Sequence, residues 1–154
     1  MSELPTAADE TRFWTIIESA WQLVGDESAT LRRALIHRDN DDAAYAIDQH
    51  LPVFLDHLRA LSEPLSTEDL TALDRLLERK LYDLDRADIH EVTDGSDDGF
   101  LYCRGFIVAM GQDFYAAVTA DPTVAVVDNN RVGDFPRTGS GISRESFANP
   151  AGWN

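Results

Sequence analysis

Apolar side chains recur every three or four residues along most of this chain, the spacing that places them on one face of an α-helix. The first such stripe is Phe13, Trp14, Ile17, Ala20, Trp21 and Val24. Asp9 or Thr11 stands where an N-cap belongs, and Gly25 where a helix ends. Two tryptophans seven residues apart on this stripe read as core anchors, since a buried indole removes more apolar surface from water than any other side chain. Ser28 is placed to cap a shorter helix through Leu31, Ala34 and Leu35, with Arg32 and Arg33 on its outer side.

Asp39-Asn40-Asp41-Asp42 can cap the next helix, whose seam runs Ala44, Ile47, Leu51, Phe54, Leu58 and Leu61. Pro52 lies inside that seam; it lacks an amide hydrogen and crowds the preceding turn, so a kink or restart is expected near His50. Ser66 with Asp69 resembles a capping box ahead of Leu70, Leu73, Leu76, Leu77, Leu81 and Leu84. After Val92 comes the polar loop Asp94-Gly95-Ser96-Asp97-Asp98-Gly99, then a helix turning Phe100, Cys103, Phe106, Ile107 and Met110 inward. Gly111 closes it, a short helix around Phe114, Ala117 and Val118 follows, and Asp121-Pro122 stops that one.

The expected fold is therefore all-α: an irregular bundle of five or six helices around Trp14, Trp21, Phe54, Leu77, Phe100 and Phe106, with an irregular C-terminal tail. Residues 1–128 read as a single acidic helical domain. From Asn129 onward Gly, Ser, Asn and Pro dominate, so residues 129–154 read as the tail, with Phe135, Phe147 and Trp153 able to dock on the body or on a partner. Strand is confined to a short piece near Val124–Val127.

Charge narrows the function classes. The 154 residues carry 28 acidic and 13 basic side chains, a net charge of −15, all of it in residues 1–132. Such a field repels phosphate polymers and anionic lipid and attracts basic protein surfaces, so neither nucleic-acid nor membrane binding is expected. No apolar run approaches a membrane span, and acidic residues near the start do not resemble an export signal. Cys103, the single cysteine, makes no internal disulfide, and a cytoplasmic location fits.

Few residues carry recognisable chemistry. The loop Asp94–Gly99 matches the front half of a calcium-binding EF-hand loop, but its closing position is Gly105 instead of a bidentate Glu. Asp97 and Asp98 therefore read as helix caps, as a weak divalent-cation site with Asp94, or as an acid/base pair. His37, His50, His57 and His90 show no metal-ligand spacing, and Cys103 lies at an apolar helical position that suits a buried thiol. No cofactor is expected. Acids at Asp83, Asp85, Asp88 and Glu91 crowd a helix C-terminus, where the dipole disfavours them. That broken local rule marks Asp83, Asp85, Arg86, Asp97, Asp98 and Arg104 as the candidate functional patch.

The order Phe13-Trp14, Ile17, Leu81-Tyr82-Asp83-Leu84, Ser96-Asp97-Asp98-Gly99-Phe100, Tyr102 and Arg104-Gly105-Phe106-Ile107 resembles a bacterial family, domain of unknown function 4240, over roughly residues 12–122. The resemblance implies an α-helical domain without an established activity and matches Asp97, Asp98 and Arg104 to family positions. On the residues themselves, the leading expectation is a non-catalytic protein-binding or regulatory module, comparable to small inhibitors and immunity proteins, with a basic protein partner. One alternative is a ligand-binding or metal-dependent enzyme domain with its site at the Asp94–Asp98 loop. The other is a nucleic-acid mimic.

Overall fold

The computed structural model describes residues 6–37, 43–93 and 104–125. Among them are seven α-helical segments and no strand. In chain order these are α1 (Ala7–Val24), α2 (Asp26–His37), α3 (Ala43–Ser62), α4 (Thr67–Asp83), α5 (Ala87–Thr93), α6 (residues 104–109) and α7 (Gln112–Ala120), followed by a 3₁₀ turn at Pro122–Ala125. The bundle is all-α, as the periodicity requires. Of the short strand expected near Val124–Val127, Val124 and Ala125 belong instead to the 3₁₀ turn: the Val124 amide donates to the Asp121 carbonyl, which closes a turn and removes the extended geometry a strand needs, and residues 126 and 127 lie outside the described residues.

Local chemistry decides where the helices begin. Thr6, not Asp9 or Thr11, is the N-cap of α1; its hydroxyl accepts from the Asp9 amide while the Asp9 carboxylate accepts from the Thr6 amide, a complete capping box. Ser66 caps α4 through the Asp69 amide, but the Asp69 carboxylate accepts instead from Arg12 Nη1 of α1 at 2.8 Å. Half of that box is thus turned into a link between helices. Ser28 does not cap α2, which starts at Asp26. It is buried, and its hydroxyl donates to the Gly25 and Trp21 carbonyls at 2.7 and 3.2 Å, tying α2 to the end of α1. Residues 39–42, assigned as the cap of α3, lie outside the described residues.

Helix α3 continues through Pro52 without the restart that the proline allows near His50. The proline ring is exposed, whereas Leu51, Phe54 and Leu58 around it are fully buried. The lost amide bond falls on the wet side, and burying the seam, at about 1.5–3 kcal/mol per large apolar side chain, outweighs it.

Helix α1 lies at the centre, packed most extensively on α3 and also on α4 and α2. Both tryptophans are core anchors: Trp14 and Trp21 are buried with Phe13, Ile17, Phe54, Leu77, Phe106 and Phe114. Trp21 joins three helices. Its indole stacks on Phe54 of α3 with centroids 4.2 Å apart, and Nε1 donates to the Ala109 carbonyl of α6 at 2.7 Å. Phe100, Cys103 and the tail lie outside the described residues.

Candidate functional site

The end of α4 and the start of α5 hold most of the describable candidate residues. Leu84 is fully buried and donates its amide to the Lys80 carbonyl at 3.3 Å, so the chain turns on an apolar anchor that leaves Tyr82, Asp83 and Asp85 facing solvent. Tyr82 is 75% exposed, and with Arg75, Glu78, Arg79 and Asp83 it lines an open groove of about 460 Å³ on the outer face of α4.

The two candidate arginines that can be placed do something else. Arg86 grips Asp88 through Nε–Oδ1 at 3.0 Å and Nη2–Oδ2 at 2.6 Å, and its Nη1 donates to the Thr119 carbonyl in the last turn of α7 at 2.9 Å. The hydrogen bonds between them hold the Arg86 guanidinium above its ordinary value and the Asp88 carboxyl below its own. Arg104, in α6, donates Nη1 to the Leu81 carbonyl in the last turn of α4 at 3.1 Å. Arg32, in α2, repeats the arrangement at the end of α6, donating to the Met110 carbonyl at 3.1 Å while it pairs with both oxygens of Glu18. Three helix C-termini therefore receive an arginine from elsewhere in the chain, where the carbonyls and the negative dipole end favour a cation. Of the acids crowded near the end of α4, Asp88 is paired with Arg86, and Arg104 brings a cation to the Leu81 carbonyl, whereas Asp83 and Asp85 face solvent.

Asp94, Asp97 and Asp98 lie outside the described residues. Among the described residues no group of three or more metal-ligating side chains comes together. The structure thus brings Asp83 and Asp85 to one exposed corner and places Arg86 and Arg104 in helix-terminal bonds.

A second cluster, under that corner, escaped the sequence reading. Lys80, the only lysine of the chain, sits 13% exposed between the rings of Trp14 and Tyr115, its Nζ 5.6 and 5.4 Å from their centroids, and forms an ion pair with Glu10. Burial first, then the negative charges of Asp83 and Glu10, push the Tyr115 hydroxyl up to about 12, with Arg86 opposing them. The solitary lysine was the one available signal. Nothing in the local pattern pairs it with residues 70 positions earlier and 35 later.

A family model described as a protein of unknown function (DUF4240) matches residues 8–140. The chain belongs to this family. The DUF4240 match contains all six residues of the candidate patch and extends beyond residue 128, where the helical domain was expected to end. No curated protein and no solved structure matches the chain. No described helix is long and apolar enough to cross a membrane.

Proposed function

We propose that this protein is a cytoplasmic, non-catalytic interaction module of the inhibitor or immunity type, whose acidic surface receives a basic protein partner. The observation that carries the reading is the division of its charges. Arg32, Lys80, Arg86 and Arg104, all partly buried, and the exposed Arg12 are bonded to carboxylates or helix-end carbonyls of the same chain, while Arg33, Arg59 and Arg79 are the other exposed cations among the described residues. Asp26, Glu27, Asp56, Glu63, Asp83 and Asp85 face solvent. The surface seen by another molecule is therefore more one-sidedly negative than the composition suggests. Such a surface raises the encounter rate with cationic partners and rejects anionic ones.

The test is affinity capture by the full chain from nuclease-treated lysate at low and moderate salt, followed by reconstitution with the purified partner. The expected result is one stoichiometric basic protein whose binding weakens as salt rises, because charges separated by more than about 8–10 Å are screened at 0.1–0.15 M salt. A partner held equally at both salt concentrations, or an acidic partner, defeats the proposal.

A further inference from the structure

Resting on that reading, we infer that Tyr82 anchors a docking site for an arginine-bearing segment of the partner, whose guanidinium lies on the phenol ring beside Glu78 and Asp83. Glu78, Arg79 and Tyr82 are exposed on neighbouring turns of α4 and make no side-chain hydrogen bond or ion pair among the described residues. Tyr82 is the most exposed of the large hydrophobic side chains there, at 75%, against 56% for Leu23 and 47% for Val53. Glu78 lies four residues before it, one turn back on the same face, so ring and carboxylate can hold one cation together.

The molecule uses this chemistry once already: Trp14, Tyr115 and Glu10 hold the Lys80 ammonium a few residues away on the same helix. The groove beside Tyr82 is open, which suits a segment of chain laid across it and not a small molecule, since small-molecule sites are mostly enclosed. Tyrosine and arginine are the side chains that anchor protein interfaces, and the net charge of −15 supplies the attraction for a cationic segment. Arg75 and Arg79 line the same groove and oppose a purely cationic ligand, so the attraction comes from Glu78, Asp83 and the acidic surface around them; Arg79 sets a sign test, since its removal tightens binding.

The experiment is calorimetric titration of the full chain at low ionic strength with a synthetic oligoarginine peptide and a charge-matched oligolysine. The expected order is oligoarginine tighter than oligolysine, because at an exposed ring the planar, weakly hydrated guanidinium stacks more favourably than the strongly hydrated ammonium. Tyr82→Ala weakens oligoarginine about two- to fivefold. Glu78→Gln with Asp83→Asn weakens it further than Asp26→Asn with Glu27→Gln, which removes the same charge from α2, and Arg79→Gln tightens it. All six positions are exposed, so circular dichroism should show the helices intact. If the two double variants lose equal affinity and Tyr82→Ala changes nothing, the attraction is diffuse; the Tyr82 site is then overturned while the acidic-surface reading stands. If neither peptide binds at low salt, both are overturned.

Discussion

Replacing Gly111 by alanine tests the joint between α2, α6 and α7 most directly. Gly111 precedes α7 with φ 101° and ψ 177°, a conformation open in practice only to glycine, and forcing an alanine into it costs about 1–3 kcal/mol. An added Cβ would also lie 2.6 Å from Glu18 Oε1 and 3.1 Å from Arg32 Nη1, so the pair that holds the end of α6 must move. Glu18 is 44% exposed, so disturbing that ion pair adds only about 1 kcal/mol. The total, about 2–4 kcal/mol, corresponds to a fall in Tm of roughly 5–15 °C for a domain of this size. Urea unfolding followed by circular dichroism should show a lower midpoint at unchanged slope. In a Glu18→Ala background the closest steric contact disappears, leaving the backbone part and the end of the Arg32 side chain, which can swing away, so a coupling of about 1 kcal/mol is expected. A loss below about 1 kcal/mol in the wild-type background would refute the backbone argument. Equal losses in the two backgrounds would refute the steric one.

Three further outcomes are expected. Trp21→Phe keeps the ring stack on Phe54 but leaves the buried Ala109 carbonyl without its indole donor, so unfolding free energy should fall by about 1–3 kcal/mol in a urea titration. Arg104→Ala should cost about 1–3 kcal/mol through the lost charge-assisted bond to Leu81, whereas Asp83→Asn, at an exposed position, should change stability by less than about 0.5 kcal/mol. Tyr115, raised from an ordinary value of 10.0 to about 12, keeps its proton longer in the folded state than in the unfolded one. Its contribution is therefore intact below pH 10 and is lost as pH rises towards 12. Tyr115→Phe should flatten the decline of stability over that window, measured by urea unfolding at successive pH values.

Much of this molecule is legible in its order of residues, because helix periodicity and helix ends are set within a few residues of chain. The stripes from Phe13 to Val24 and from Leu70 to Leu84 predict the buried faces of α1 and α4. Gly25 and Gly111 mark breaks that their positive φ values explain. The same local reasoning misplaced the cap of α1 by a few residues, because several oxygen-bearing side chains near a helix start are equivalent until one meets an amide. It also allowed a restart at Pro52, whose local penalty does not end the helix because Leu51, Phe54 and Leu58 are buried on the face that packs on α1.

The candidate site is another matter, since its residues acquire their roles from partners far away in the chain. Asp83, Asp85, Arg86 and Arg104 look alike in sequence as charges near helix ends. Only the packing shows that Arg86 reaches Thr119 and Arg104 reaches Leu81, while the two aspartates face water. Likewise Asp69 becomes the partner of Arg12, and Lys80 that of Glu10, across separations of 57 and 70 residues. An amphipathic pattern specifies which face of a helix is buried but not its angle or register against the next one. Long side chains such as arginine and lysine find their acceptors only when those angles are set. The helices and their inward faces are thus properties of the chain order, whereas which cations are held inside, and how much negative charge is left facing solvent, are properties of the packed bundle.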